Sequence, residues 1–208
     1  EGTAFSATGF GRGTNTDIVI ASEYNGLPVT AVGSGLVFGQ LSNGKEITSV
    51  YIPGSVKTIE VGAFGNCYKL QSVVIEEGVE TIGELAFFNM GEQGILSELI
   101  LPSTLKTIGL GAFTWHRLKE VKIPKGVIEI GVESAMPAFA GNDPQRIVVE
   151  EGNTVYHSSG NCLIETASKK LILGCANSII PSDGSVTSIG EGAFLRCDSL
   201  TSIVIPGS

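Results

Sequence analysis

Hydrophobic and polar residues alternate in short runs along this chain. In one such run Val50 and Ile52 are aliphatic, and Ser49 and Tyr51 precede them. A period of two residues is typical of a β-strand that has one buried face. Pro53 ends the run, because proline has no N–H to give to a sheet ladder. No segment keeps a helical period for three turns, so the pattern predicts short strands joined by tight turns.

This run belongs to a longer phrase that recurs along the chain. The phrase is an apolar pair and a proline, then V-x-x-I, then Ala-Phe, then a leucine that leads back to the next apolar pair. Equivalent residues are 23 positions apart between Ile52 and Ile75, 26 between Ile75 and Leu101, and 22 between Leu101 and Ile123. Periods of about 20–29 residues are typical of leucine-rich repeats, whereas ankyrin and TPR repeats are longer. The Ala-Phe pairs are Ala63-Phe64, Ala86-Phe87, Ala112-Phe113, Ala138-Phe139 and Ala193-Phe194.

A repeat of this length cannot bury its own apolar face, so successive coils must stack on each other. We therefore expect a leucine-rich repeat solenoid, mainly β, with short helical or 3-10 corners, a parallel sheet along one face and one inserted β-hairpin. The phenylalanines of the Ala-Phe pairs would form one internal column and a large part of the core. We expect a single domain over residues 1–208, with an irregular part at 1–46, regular coils at 47–149, a hairpin insertion at 150–178 and further coils at 179–208.

The last copy of the phrase resembles a known family. Residues 186–206 read VTSIGEGAFLRCDSLTSIVIP, which is similar to the BspA-type (Treponema pallidum-type) leucine-rich repeat. The strings at residues 16–20 and 24–33 are similar to a common start of such arrays. The resemblance covers roughly residues 16–208. It implies a bacterial cell-surface or secreted protein with an adhesion-type function.

Two steps of the repeat are too long for one coil. The step from Val149 to Ile180 is 31 residues, and it contains apolar runs on both sides of residues 166–169. We expect a hairpin loop at 166–169 and a hairpin that projects from the stack. The step from Ile20 to the next coil includes a polar stretch at 39–45, which indicates a surface loop. Residues 90–94 predict another loop.

Composition narrows the function classes. The net charge of −8 makes nucleic acid an improbable partner. The sequence contains no stretch of about 18 apolar residues, so we expect no membrane insertion. The chain begins at Glu1 without an apolar leader, which we interpret as a trimmed or mature chain. Cys67 and Cys197 hold equivalent places several coils apart and cannot meet. A bond between Cys162 and Cys175 would close the hairpin, although the two are slightly out of register, so that pairing stays open.

Residues with catalytic or metal-binding chemistry are few and scattered. His116 and His157 lie in different coils without a second strong ligand nearby, so we expect a surface or half-buried structural role for His116. The carboxylate pairs at residues 76–77 and 150–151 recur at one repeat position, which indicates turn structure rather than a glycosidase dyad. The glycine string at 9–13 lacks the strand and helix that a dinucleotide site needs. We predict no enzyme activity, no cofactor and no metal site.

The outward residues of stacked strands would form one continuous face. One outward position of each strand is apolar here, with one exception, and an exposed apolar stripe on a soluble protein is often an interaction site. β-Branched residues also suit strands for their own sake, so the stripe alone does not prove a site. The candidate binding face consists of Tyr51, Val74, Ile100, Lys122, Val148 and Val204, with Lys122 breaking the apolar ladder.

Three functions fit this description. The first is an extracellular or cell-surface module that binds a protein, such as a host matrix protein or another surface protein. The second is an architectural spacer within a larger surface protein, and the third is a carbohydrate-binding surface, for which the chain offers few aromatic residues. The hairpin and the loop at 39–45 are further candidate binding elements. The chain ends at residues 206–208 where another coil should continue, so we also expect further repeats or end-to-end contacts.

Overall fold

The computed structural model describes residues 4–7, 16–33, 44–89, 95–132 and 136–206. Within these ranges the chain winds through short strands and turns and contains no α-helix, and the predicted helical corners are turns apart from one 3-10 segment at Gly44–Glu46. The loop predicted at 90–94 and the glycine string at 9–13 lie outside the described residues, as does most of the loop at 39–45.

Sixteen strands are described, and most have two to four residues. In chain order they are β1 (Phe5–Ala7), β2 (Asp17–Val19), β3 (Glu23–Tyr24), β4 (Leu27–Val32), β5 (Ser49–Ile52), β6 (Thr58–Ile59), β7 (Ser72–Ile75), β8 (Thr81–Ile82), β9 (Thr107–Ile108), β10 (Glu120–Ile123), β11 (Glu129–Ile130), β12 (Arg146–Val149), β13 (Tyr156–Ser159), β14 (Cys162–Glu165), β15 (Lys170–Leu173) and β16 (Ser188–Ile189).

The four-residue strands of the regular coils lie on one side of the stack, which we call face 1. Their inward residues are buried, and Val50 and Ile52 are at most 1% exposed. β5 pairs in parallel with β2 and β7, and β10 pairs in parallel with β12. Face 1 therefore holds two separate parallel sheets, where the sequence predicts one.

The two-residue strands form a second side, which we call face 2. Here β4, β6, β8, β9 and β11 pair in parallel without interruption. The register aligns Ile59 with Ile82 and Ile108 in one inward column, and all three are fully buried. The outward partners in the same register are Thr58, Thr81 and Thr107. The V-x-x-I part of the phrase thus builds a ladder that continues across every regular coil.

The Ala-Phe pair forms the third side of each coil, a corner of consecutive turns. Its amide groups alternate between two kinds of partner. The Phe87 N–H donates to the Ala112 carbonyl of the next coil at 2.9 Å, whereas the Phe88 N–H donates to the Leu85 carbonyl of its own coil at 3.1 Å. The corner therefore satisfies its backbone and also joins neighbouring coils without forming a strand.

Four of the five phenylalanines form the predicted internal column, with neighbouring ring centroids 5.2–5.6 Å apart and rings nearly parallel. Phe194 does not join them. It is half-buried, and a Cβ at Gly174 would come within 2.1 Å of its ring. The prediction is wrong for this residue because a segment outside the repeat lies next to it. The four stacked rings are Phe64, Phe87, Phe113 and Phe139.

The insertion consists of three antiparallel strands. β13 pairs with β14, β14 pairs with β15, and the turn between β14 and β15 lies at 166–169 as predicted. The prediction that the hairpin projects from the stack is wrong, because Cys162, Leu163 and Ile164 of β14 are at most 1% exposed. A run of consecutive apolar residues suits a strand that is covered on both faces. β15 then pairs in parallel with β16, so the insertion is built into the stack.

Candidate functional site

The outward residues at one end of face 1 lie side by side. The parallel register places Val19 next to Tyr51 and Tyr51 next to Val74. Val19 is 72% exposed and Val74 is 47% exposed. Tyr51 is half-buried, and its hydroxyl donates to the Glu76 carboxylate at the end of the neighbouring strand. The sequence prediction missed Val19, although this residue alternates with Ile18 in the same way as Tyr51 alternates with Val50.

The row of face-1 strands is interrupted at the next coil. Residues 95–101 form no strand, although the Arg117 and Lys119 N–H groups still donate to the Leu96 and Ser97 carbonyls at 3.1 and 3.0 Å. Beyond that point no backbone hydrogen bond joins the described residues 98–101 to β7 or to β10. The continuous face that the sequence predicts is therefore wrong at this coil.

Two prolines lie at the interruption and each removes one possible hydrogen bond, although Pro53 at the same position after β5 does not prevent pairing with β2. At the end of β7 and of β12, the N–H groups of Glu76 and Glu150 donate to the carbonyl at the end of the preceding strand, at 3.0 and 2.9 Å. The equivalent residues of the two coils between them are Pro102 and Pro124. Because proline has no N–H, neither can close this end of the ladder. A cleft of about 500 Å³ lies between residues 97–101 and β10.

The next two candidate residues are neighbours on the second sheet of face 1. The register of β10 and β12 places Lys122 next to Val148, which is half-buried. The Lys122 ammonium lies 2.7 Å from the Glu150 carboxylate, and Arg146 lies 3.4 Å from Glu120. These side chains are largely exposed, so each ion pair contributes little to stability. Lys122 therefore breaks the apolar row as predicted, with its charge paired.

Face 1 is interrupted a second time by the turn at residues 160–161, which joins β13 and β14. The Asn161 side chain accepts a hydrogen bond from the backbone of β12 at 2.7 Å, and the Gly160 carbonyl accepts one from the Ile179 N–H at 2.7 Å. Val204 lies beyond this turn in a segment without strand pairing, and it is 81% exposed. The structure does not bring it together with the other candidates. Ile179 is 75% exposed and was missed, although it precedes an Ile-Pro pair just as Tyr51 does.

The recurring carboxylate pairs hold turns, as the sequence predicts. Glu77 accepts hydrogen bonds from the backbone N–H and the hydroxyl of Ser103 at 2.8 and 2.9 Å. These bonds, the backbone one first, hold the pKa of Glu77 below its ordinary value. Glu150 accepts a hydrogen bond from the Lys125 N–H at 3.1 Å. Each carboxylate therefore fixes the turn of an adjacent coil, and the pairs form no dyad.

The two histidines lie far apart in the fold and have different surroundings. His116 is only 4% exposed, and its Nε2 lies 2.6 Å from the Phe87 carbonyl of the neighbouring coil. Burial lowers the pKa of His116, with the bond to Phe87 acting in the opposite direction. His157 is on β13, and its Nδ1 lies 2.9 Å from the Thr166 hydroxyl. His116 thus has the predicted structural role, but it is buried rather than half-buried.

All four cysteines are free thiols and buried. The alternative of a Cys162–Cys175 bond is not realised, because the strand register places Cys175 beside Asn161, whose Nδ2 is 3.0 Å from its sulfur. Burial raises the pKa of Cys67 and of Cys197 to about 12. A thiol at such a pKa carries almost no thiolate at neutral pH and is a poor nucleophile.

The described residues were searched for a cluster of metal ligands and for a membrane-spanning helix, and they contain neither. Across residues 4–7, 16–33, 44–89, 95–132 and 136–206, no three His, Cys, Asp or Glu side chains converge as a metal site would require. The same residues include no helix with the length and apolarity needed to cross a bilayer.

Coils of this length, with parallel strands on two sides and a shared internal column, define a leucine-rich repeat solenoid. The family model described as "BspA type Leucine rich repeat region" matches residues 40–158 and 164–208 in six copies. The chain belongs to this family, and the resemblance seen in the sequence is confirmed. A comparison with curated proteins finds no match.

Several solved structures share the fold. The pneumococcal vaccine antigen PcpA is 18% identical with a TM-score of 0.62, and the alignment covers 99% of this chain and 66% of that one. A leucine-rich repeat protein from Bacteroides ovatus is 24% identical with a TM-score of 0.59, covering 96% and 48%. The Treponema pallidum leucine-rich repeat protein is 22% identical with a TM-score of 0.60, covering 90% and 73%. At these identities the likeness shows the fold alone, and this chain spans only part of each relative.

Proposed function

We propose that this chain is a non-enzymatic, extracellular or cell-surface module that binds a protein through face 1. Its binding residues are Tyr51, Val74, Ile100, Lys122, Val148 and Val204, together with the neighbouring Val19 and Ile179. The partner is a host matrix protein or another surface protein.

The observation that carries this proposal is the exposure of large aliphatic side chains in the outward positions of one face. Ile100 is 82% exposed, Val204 is 81% exposed, and Val19 and Ile179 are 72% and 75% exposed. Val19, Tyr51 and Val74 lie side by side in the strand register, and a contiguous exposed apolar patch on a soluble protein often marks a binding site. The descriptions of PcpA as a vaccine antigen and of a Faecalibacterium prausnitzii relative as a cell surface protein support the location.

The test is a binding screen with face-specific variants. The wild-type chain is immobilised and exposed to purified matrix proteins and bacterial surface proteins, and saturable binding is measured by biolayer interferometry. The double variant Tyr51→Asp/Ile100→Asp places two charges on face 1. We expect it to bind at least about tenfold more weakly, because central apolar contacts dominate interface energies.

The matched control places the same charges elsewhere. Val61 and Ile128 are 60% and 59% exposed and lie beside the face-2 strands β6 and β11. Val61→Asp/Ile128→Asp should bind like the wild type. If no protein binds saturably, the spacer alternative is favoured. If both double variants lose binding equally, face 1 is not the specific binding surface. Saturable binding of glycans lost in the face-1 variant would favour the carbohydrate alternative.

A further inference from the structure

The interruption of face 1 leaves one edge of β10 without a neighbour. On the other edge, the carbonyls of Lys119 and Ile123 accept hydrogen bonds from the coil that follows, at 2.9 Å each. Successive residues of a parallel strand bond to opposite neighbours. Glu120 and Lys122 therefore direct their N–H and C=O groups to the edge that faces residues 98–101, where no backbone partner is described.

Two prolines weaken the pairing between the coils at this edge. Pro102 and Pro124 occupy the two positions at which an N–H would complete the ladder on either side of residues 98–101. Both prolines are buried, so they are fixed parts of the stack. An unpaired strand edge in a folded protein readily accepts another strand.

The space beside the free edge has the size and lining of a binding site. The cleft between residues 97–101 and β10 has a volume of about 500 Å³, within the usual range of about 300–1,000 Å³ for ligand sites. One wall carries Leu99 and Leu101, which are partly exposed, and Ile100, which is 82% exposed. Glu98 and Lys119, both exposed, lie in the same lining.

The unpaired N–H and C=O groups of β10 indicate which kind of ligand would bind in the cleft. They are main-chain donors and acceptors in a line, which an extended backbone can match residue by residue. The aliphatic wall would hold alternate side chains of such a segment. We infer that this cleft binds an extended peptide segment of a protein partner, which adds as a strand to the free edge of β10. This inference rests on the proposed function and names the form in which face 1 recognises its partner.

The test uses linear peptides as the probe. Peptides of about twelve residues displayed on phage are selected against the whole chain, and the binders are synthesised and measured by fluorescence anisotropy. The key variant is Lys122→Pro, which removes an N–H from the free edge and no bond to β12, and prolines are tolerated at strand edges. Its matched control is Lys122→Ala, which loses the same ion pair with Glu150 but keeps the N–H.

We expect the peptides to bind Lys122→Pro at least about tenfold more weakly than Lys122→Ala. Alternate N-methylation of the peptide backbone should cause a similar loss. Ile100→Asp should weaken binding, whereas Val204→Asp, at a residue of equal exposure outside the cleft, should not. Thermal melts of each variant show whether the fold is retained. If Lys122→Pro does not fold, the N-methylated peptides decide alone.

The inference is overturned if no linear peptide is selected, if Lys122→Pro and Lys122→Ala bind equally, or if N-methylation has no effect. The proposed function still stands after such a result if a protein found in the binding screen binds Tyr51→Asp/Ile100→Asp more weakly than it binds the wild type. The proposed function itself fails when that screen shows no difference between the face-1 and the control variants.

Discussion

Single residues at the corners connect one coil to the next. At three corners the third residue after the phenylalanine is buried, and its side chain bonds a carbonyl of another coil. The His116 ring does so to Phe87, and the Asn142 amide donates to the Phe113 carbonyl at 2.9 Å. Cys197 holds the same place, with its sulfur 3.5 Å from the Gly174 carbonyl. These buried polar side chains satisfy backbone acceptors that the turns leave open.

His116 should make the stability of the fold depend on pH. Its pKa in the folded state lies below the ordinary histidine value of 6.5 because the ring is buried. As the pH falls below about 6.5, the unfolded chain binds a proton that the folded chain does not, so the free energy of unfolding decreases. Urea unfolding should therefore show lower stability at pH 5.5 than at pH 7.5. The shifted carboxylates, such as Glu77, titrate below this window.

The control for this prediction is His116→Asn, which places at this corner the residue that Asn142 provides in the next coil. The variant keeps an amide donor for the Phe87 carbonyl but has no group that titrates between pH 5.5 and 7.5. Its stability should vary less over this range than that of the wild type. An equal loss in both proteins would show that His116 is not the source.

At the scale of elements, the two strand faces differ although both come from the same phrase. Face 2 has an uninterrupted ladder from β4 to β11. On face 1 the residue after β5, β7, β10 and β12 is a proline or a glutamate, and the glutamate N–H adds an end hydrogen bond that a proline cannot give. The stack is therefore held mainly by face 2, the corners and the phenylalanine column. Face 1 is the side on which the pairing of the strands can vary.

The phenylalanine column should show energetic coupling between neighbours only. Phe87 and Phe113 stack at 5.2 Å, whereas two other rings separate Phe64 from Phe139. In a double-mutant cycle from unfolding free energies, Phe87→Leu and Phe113→Leu should be non-additive by about 0.5–1.5 kcal/mol. Phe64→Leu and Phe139→Leu should add to within about 0.5 kcal/mol. Additivity of the first pair, or strong coupling of the second, would contradict the nearest-neighbour column.

Features that depend only on the residue pattern within one coil were predicted correctly from the sequence. Alternation around Val50 and Ile52 correctly assigned the buried side of face 1, and the Ala-Phe spacing correctly assigned four rings of the column. It did not predict relations that depend on a second segment. Phe194 meets Gly174 from the insertion, and the break beside β10 concerns the pairing between two successive coils. The buried β14 could have been recognised, because its apolar residues are consecutive rather than alternating.

At the scale of the whole molecule, the stack separates structural support from the proposed recognition surface. The core is continuous through the regular coils. The turn carboxylates and four of the five described ion pairs lie on the surface and join adjacent coils. Face 1 carries large aliphatic side chains that the core does not use, and it also carries the open edge of β10. A solenoid built in this way can change its outward residues without disturbing the column that holds it together.

Hydrogen–deuterium exchange of the whole chain, measured alone and with a protein identified in the binding screen, tests most directly whether face 1 is the recognition surface. The bound state should slow exchange in β5, β7, residues 97–101 and β10, while β6, β8, β9 and β11 of face 2 exchange as they do in the free chain. Slowed exchange confined to face 2 or to the corners, with face 1 unchanged, would contradict the assignment of face 1 as the binding surface.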